Sequence, residues 1–464
     1  MNICFNARYA YDYASSLIYS ELHSRNPSMI GTFIVSNERE ANTIRNNISQ
    51  RADVRVFATS LRENSRRRRN DSKEVLKQYE TKYGCRPLWK YIYMDRFLVK
   101  YSYEDIIALV CGIFSFYESI FGSSSFDFYF DETIATLQSY IAYLVAEHFG
   151  TKYVALMAAR GFETTHHYLV REPYQYEYGF DPEYKNKKYD QSVTDMAIGL
   201  YNRYHSDYSR PASMDYVKSR PALSLKQFLR AMRSLLCKES FDKYDIINYH
   251  SYKQEFLLSS LYFRYLRSRK YFSQPVSGDK YVYFPLHYQP EASTLVCAPK
   301  YEKQEFFIDS WAKSLPSDTV LYVKEHYELV GNRPYSFYKR LRMYPNVRII
   351  DPWVPSIELI RGSEAVTTLT GTAGWEAAIL SKPVYLAGNI YYDNAPGVYK
   401  TNDIFGAYSS DKPGAKKEEI IQYLCEYISH IYPGGVFFTK SRYLENDNIS
   451  RICDSLMCFI KENS

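Results

Sequence analysis

Three polar clusters in the stretch Tyr281–Tyr392 carry the residue types that phosphate and sugar chemistry use. The first is HYQPEAS, with Gln289 and Glu291. The second is KEH, which is Lys324, Glu325 and His326. The third is TLTGTAGWE, with Thr368, Thr370, Gly371, Thr372, Gly374 and Glu376. A phosphate that leaves from a sugar needs positive charge or hydrogen-bond donors where negative charge develops, and Lys324 and His326 fit that task. Small residues let a backbone approach a phosphate, and hydroxyls and amides at a helix start then bind it. Glu376, one turn into that helix, could accept hydrogen bonds from a ribose or base. Glu291 follows Pro290, which can only start or precede a helix, so its carboxylate falls near a helix N-terminus. There it could act as a base or a nucleophile, while Gln289 positions the donor. Plainer readings stand beside each of these. His326 and Glu376 could be helix caps, the Gly/Thr turn an ordinary N-cap, and Glu291 a partner for the helix dipole.

The first half of the chain offers fewer such groups. Asp131 and Glu132 end the apolar run FDFYF and precede a helical pattern. They read either as helix-capping acids or as carboxylates facing a crevice. Arg160, at the end of the run KYVAL, is an anion candidate or an exposed cation. His166 and His167 are adjacent, so in a strand they point apart and do not form a metal pair.

Short apolar runs alternating with helical patterns must position these groups. The N-terminal half reads as strand Met1–Asn6, helix Tyr11–Ser24, strand Met29–Val35, helix Glu38–Ile48 and strand Val54–Ala58. A polar, irregular stretch follows over Arg62–Arg96. Next come helix Glu104–Phe121, strand Phe126–Phe130, helix Thr133–Phe149 and strand Lys152–Leu156. No GxGxxG follows the first strand, so no dinucleotide is assigned there. Tyr174–Tyr216 reads as an insertion or long loop, and Ser224–Phe272 as helical, with Arg264, Arg267, Arg269 and Lys270 on its polar side. FSQPVSGDK marks a domain boundary. Beyond it the same grammar returns, with strands at Tyr281–Pro285, Val320–Val323, Val347–Ile350 and Ala365–Leu369 and a final one at Lys382–Leu386. Helices lie between them, and two more close the chain. The expected fold is α/β, of the GT-B kind: two Rossmann-like domains, 1–275 and 276–464, facing an interdomain cleft. Ligands in such sheets lie beyond the carboxyl ends of the strands.

Composition sets wide bounds. The chain has 464 residues, too many for one ordinary core. Tyrosine stands out at 49, against 26 Phe and 4 Trp. Tyr suits clefts that bind polar rings, though compositional drift would also supply it. A net charge of +6 favours anionic partners without requiring nucleic acid. The basic run Arg66–Arg69 is a solvated face or a contact for an anionic membrane surface. Eight scattered cysteines form no CxxC pair and suggest free thiols in a reducing compartment. The longest apolar stretch, Ile106–Phe121, is too short and too interrupted to span a bilayer.

FPLHYQPEAST, LYVKEH, NVRIIDP and TLTGTAGWEAAILSKPV together resemble the bacterial capsule polysaccharide synthesis family, over about residues 281–390. Its members resemble β-Kdo transferases that act on capsule lipid linkers. The resemblance implies a GT-B transferase that uses a CMP-activated sugar, needs no metal or other cofactor, and works in the cytoplasm beside the inner membrane. It also implies retention of configuration. Glu291 is then the expected nucleophile, with Asp131 or Glu132 as acid/base. Family members carry a His-Pro pair after the Lys-Glu dipeptide, whereas here Tyr327 follows His326.

The expected activity is transfer of Kdo or a similar acidic sugar to a surface glycan or its lipid linker. Its partners are then a nucleotide-sugar donor, a glycan or glycolipid acceptor and the inner membrane surface, with no nucleic acid. A CDP-glycerol or CDP-ribitol polymerase, a non-catalytic glycan-binding scaffold and a nucleotide-sugar epimerase are the rival readings.

Overall fold

The computed structural model describes residues 1–8, 11–49, 52–67, 73–98, 101–172, 180–206, 244, 246, 268–329, 333–401, 408 and 412–463. These form two compact units, each built on its own sheet.

The first unit opens with β1 (Asn2–Asn6), α1 (Tyr11–Arg25), β2 (Ile30–Val35), α2 (Glu38–Asn47) and β3 (Ala52–Val56). Local signals set these bounds. Asn37 caps α2 by accepting from the Glu40 amide, and the Glu40 carboxylate accepts from the Ser36 amide at 2.7 Å. Then come α3 (Phe57–Arg67), α4 (Lys73–Tyr83), α5 (Trp89–Met94) and α6 (Tyr103–Phe121). The stretch expected to be irregular, Arg62–Arg96, is thus largely helical. Its helices expose charged faces and hold on by a few anchors, which is why composition hid them. Leu61 and Ser65 approach α6 at Gly112, where a Cβ would meet Ser65 Oγ at 2.6 Å, and Tyr79 stacks on Phe114 at 4.2 Å. The expected strand over Val54–Ala58 ends at Val56, because Phe57 already begins a helix. The unit continues with β4 (Phe128–Asp131), α7 (Leu137–His148), β5 (Lys152–Ala158) and β6 (His166–Val170).

The second unit contains α8 (Gln191–Ser206), β7 (Lys280–Pro285), α9 (Ala292–Leu295), α10 (Gln304–Ser314), β8 (Thr319–Lys324), α11 (Tyr335–Leu341), β9 (Val347–Ile350), α12 (Ser356–Gly362), β10 (Ala365–Thr368), α13 (Thr372–Ile379), β11 (Val384–Leu386), β12 (Val398–Lys400) and α14 (Lys417–Ser429). Two expectations need correction here. The strand at Val384–Leu386 is not the last, since β12 extends the sheet beside it. The stretch expected as a loop, Tyr174–Tyr216, contains the 16-residue α8. That helix buries only Ala197, Leu200 and Tyr204, too sparse a stripe to read unaided. Buried Glu426 of α14 holds the segment before α8, accepting from the Asp181 amide, Tyr189 Oη and Lys187 Nζ at 2.9, 2.7 and 3.1 Å. Residues 174–179 and 207–216 of the Tyr-rich stretch, and residues 224–243, 245 and 247–267 of the expected helical region, lie outside the described residues, as do Arg68 and Arg69.

The chain then returns to the first unit with β13 (Tyr432–Pro433) and α15 (Asn446–Asn463). A single boundary at 275/276 leaves out this return. Helix α15 joins the first core through Ile452, Leu456 and Phe459.

The first sheet runs β13-β6-β5-β4-β1-β2-β3, parallel from β5 to β3, and the second runs β12-β11-β10-β7-β8-β9, all parallel. The protein is therefore α/β, with two parallel-rich sheets. Tyrosines serve these cores directly: Tyr19, Tyr129, Tyr283 and Tyr385 are fully buried. Among the described residues, no helix is long and apolar enough to cross a membrane.

Candidate functional site

In both sheets the first strand lies between two neighbours that lead the chain in opposite directions. Strand β1 lies between β4 and β2, and β7 between β10 and β8. The carboxyl ends beside such a reversal open a crevice, which makes it the favoured ligand position in a parallel sheet.

At the reversal of the second sheet, the chain leaves β7 as Leu286-His287 and leaves β10 as Leu369-Thr370-Gly371. His287 joins these two ends. Its Nε2 accepts from the Thr370 amide at 3.1 Å and lies 3.2 Å from Thr368 Oγ1, which itself accepts from the Gly371 amide at 2.9 Å. The His287 backbone is clamped as well. Gln304 accepts from its amide at 2.9 Å, and Arg333 donates to its carbonyl at 2.7 Å. Burial, then the charges of His326 and Arg333, push the His287 imidazole down to about 3, so the ring is neutral.

The loop that follows β10 leads into α13. Gly371 is the cap residue and brings no side-chain acceptor, and the Gly374 amide donates back to the Gly371 carbonyl at 3.0 Å. The hydroxyls of Thr368 and Thr370 are used within the fold, the latter donating to the Ser293 carbonyl at 2.7 Å. Thr372 is exposed. Gly374 faces the interior, where a Cβ would collide with Tyr392 Oη and the Thr368 methyl group. Tyr392 Oη in turn donates to the Gly371 carbonyl at 2.5 Å. Glu376 is half-buried, one turn along.

The cluster after β8 divides its labour. Lys324 is buried and donates to Ser356 Oγ at 3.0 Å. Glu325 is fully buried and accepts from Arg333 Nε at 2.9 Å, Tyr338 Oη at 2.6 Å and the His326 amide at 2.7 Å. It is a counter-charge that fixes Arg333 rather than a group open to a ligand. His326 is half-buried and stacks on Tyr327 at 4.9 Å. Burial, then Lys324 and Arg333, push its imidazole down to about 4. Gln289 is occupied by the Glu302 carbonyl at 2.6 Å and by Gln304 Nε2 at 2.6 Å. Glu291 is exposed, caps α9 through its backbone, and accepts from Ser293 Oγ at 2.8 Å.

At the reversal of the first sheet, Asp131 ends β4 and is fully buried. It accepts from Asn6 Nδ2, Tyr129 Oη and the Glu132 amide, each at 2.7 Å. Burial raises it and the Arg8 charge opposes that rise. Glu132 is pushed up to about 6 by burial, against Arg8 and with Asp131. Arg8 is buried and donates to Gln138 Oε1 at 2.9 Å and Ser139 Oγ at 2.5 Å. The helix cap expected of the acidic pair falls instead to Thr136, which accepts from the Ser139 amide at 3.3 Å. Arg160 is half-exposed and faces Glu163 at 3.6 Å. His167 is buried between the Gly434 carbonyl and Ser455 Oγ, both at 2.8 Å, while His166 is half-exposed.

The structure thus brings Lys324, His326 and the Gly371 loop together around His287 and Arg333, two residues that the sequence reading did not single out. His287 had a signal, since it follows an apolar strand directly, as Lys324 and Thr370 do. Arg333 had none, because its pairing with Glu325 depends on the loop that carries it. Among the described residues, no three or more His, Cys, Asp or Glu side chains gather closely enough to hold a metal ion.

Among solved structures, the chain is similar to two Thermosulfurimonas dismutans KpsC transferases. The match to the β-Kdo 2,7 transferase has 12% identity and a TM-score of 0.34, covering 78% of this chain and 97% of that one. For the β-Kdo 2,4 transferase the values are 13% and 0.33, with 69% and 88% covered. The UDP-GlcNAc 2-epimerase of Neisseria meningitidis bound to UDP-GlcNAc is also similar, at 12% identity and a TM-score of 0.28, with 99% of this chain and 100% of that one covered. No curated protein matches significantly in sequence. Residues 223–437 match the model of the family described as Capsule polysaccharide biosynthesis protein.

Proposed function

We propose that this protein is a glycosyltransferase that moves a CMP-activated acidic sugar, Kdo or similar, onto a surface glycan or its lipid linker. The observation that carries the reading is the set of cationic and donor groups at one chain reversal. Lys324, His326 and Arg333 gather near the start of α13, whose cap residue has no side-chain acceptor. These groups suit the charge that develops on a departing nucleotide phosphate, and they supply it from side chains rather than from a metal. The second unit is therefore the donor unit.

Glu291 is the nucleophile in this reading. Its carboxylate bonds to the anomeric carbon as the bond to the CMP oxygen breaks, and the electron pair leaves with the phosphate. An acceptor hydroxyl then attacks the same carbon, gives up its proton and frees Glu291, so two inversions retain the configuration. Of the two acidic candidates in the first unit, Glu132 is better suited than Asp131 to accept a proton. Its carboxyl is raised to about 6 and is only half-buried, whereas Asp131 is fully buried and enclosed by three donors. A lipid-linked acceptor would be met at the inner face of the cytoplasmic membrane.

The test is a thermal-shift panel with CMP, CDP, UMP, UDP, GDP and ADP, followed by transfer assays with CMP-Kdo. Saturation at a hundredfold over Kd stabilises the folded protein by about 2.7 kcal/mol. A response to CMP that weakens in His326→Ala, with transfer abolished in Glu291→Gln, is the expected result. A response confined to UDP or GDP would discard the donor, one to CDP-polyols would favour polyol-phosphate transfer, and no response at all would favour a scaffold.

A further inference from the structure

We infer that His287 is a neutral hydrogen-bond donor to a phosphoryl oxygen of the donor nucleotide, acting through Nδ1–H beside Gly371. The inference rests on the nucleotide reading of the second unit and assigns a residue that reading did not use.

The tautomer follows from the geometry. A backbone amide can only donate, so the 3.1 Å contact from the Thr370 N–H makes Nε2 an acceptor. A neutral imidazole whose Nε2 accepts carries its proton on Nδ1. Nδ1 is buried and has no hydrogen-bond partner among the described residues, in a residue only 6 % exposed. A buried donor left unmet is costly, and such a group calls for an occupant that completes it. The neighbourhood indicates the chemistry of that occupant. A Cβ on Gly371 would lie 3.1 Å from Nε2 and 3.6 Å from Cε1, so this glycine lets the loop backbone pack closely against the ring edge next to Nδ1. The same loop starts α13, whose cap residue brings no side-chain acceptor, and Lys324 and Arg333 add positive charge around the ring. Donors and cations together suit an anionic oxygen, such as that of a phosphoryl group. Staying neutral lets His287 serve both neighbours, accepting from the loop amide on one nitrogen and donating to the ligand from the other.

The experiment uses the full chain and isothermal titration with CMP and with cytidine. His287→Gln places an amide oxygen where Nε2 accepts from Thr370 and removes the donor at Nδ1. The expected result is CMP affinity about 10- to 100-fold weaker than wild type, the loss of one hydrogen bond to a charged acceptor. Cytidine affinity and the melting temperature without ligand should stay near wild type. A second measurement needs no variant: in wild-type protein with 15N-labelled histidine, the His287 Nδ1 resonance should move on adding CMP and stay in place with cytidine. Equal CMP binding in wild type and His287→Gln, or an Nδ1 resonance unmoved by bound CMP, overturns the role of His287 while leaving the nucleotide reading intact. A wild type that binds none of CMP, CDP, UDP or GDP overturns both. If another of these nucleotides binds instead of CMP, the same comparison is made with it and its nucleoside, and carries the same two outcomes.

Discussion

Strands β1 and β7 hold the same place in their sheets, and the chain builds opposite things where they end. Beyond β7, cations and donors surround a neutral histidine and a glycine loop, and one buried nitrogen has no partner among the described residues. Beyond β1, Arg8 is enclosed with Asp131 and Glu132, and the charges largely answer one another. One topology supplies two crevices, and the residues following the first strand decide what each can hold. A site that gathers cations and hydrogen-bond donors is suited to an anion. A balanced one is suited to moving a proton.

The sharpest way to break this contrast is to remove the carboxylate assigned to bond formation. Glu291→Gln should lower transfer on the order of 10^4-fold while CMP affinity, read by titration, stays unchanged. Equal losses in rate and affinity would make Glu291 a binding residue. Stability should respond next most strongly. Arg333 is held by the buried Glu325, and Glu325→Leu leaves that guanidinium without its counter-charge. We expect a loss of about 3–5 kcal/mol in urea unfolding, much of it recovered in Glu325→Leu with Arg333→Met. A smaller effect is expected from Gly371→Ala, whose Cβ would crowd Thr368 Oγ1 at 2.9 Å and His287 Nε2 at 3.1 Å. CMP affinity should fall about tenfold, with the unfolding midpoint little changed.

Acid should separate the two crevices by sign. His287 and His326 titrate near 3 and 4 when folded, against an ordinary 6.5. Their contribution is fully present above pH 6.5 and is lost as pH falls through the folded values, at about 1.4 kcal/mol per pH unit for each proton. Glu132 runs the other way, since its folded value near 6 lies above the ordinary 4.5. Its contribution is fully present below pH 4.5 and is lost as pH rises through 6. Glu132→Gln should therefore steepen the decline in stability between pH 6 and pH 4.5, measured by urea unfolding at each pH. Least of all should follow from Arg160→Ala, because a half-exposed pair with Glu163 contributes roughly 0–1 kcal/mol and lies outside the proposed donor crevice.

The sheets were legible in the sequence because each buried strand is a short apolar run ending in a polar cluster. YVYFP, LYVK and AVTT sit where they were read. The helices between Phe57 and Met94, and the one over Gln191–Ser206, were not legible. Each buries only a few side chains, and contact at Gly112 depends on a partner some fifty residues away. Among the candidate site residues, the strand-end positions were readable because topology delivers them to one edge. What each side chain does was not. Gln289 and Glu325 are consumed by Gln304 and Arg333, and the pairing of His287 with Thr370 spans two strands that only the folded sheet makes adjacent.

The return of the chain to its first unit sets an order of events during synthesis. Strands β1 to β6 emerge from the ribosome early, but β13, which pairs with β6, and α15, which covers Ile18, Leu22 and Phe128, come last. Until Asn446–Asn463 has been translated, the first sheet carries a bare apolar face. The nascent chain must keep that face from other surfaces while the second unit is made. A chaperone that binds apolar segments would thus meet the earliest part of this protein for longest, and the second unit can complete its own core before the first does.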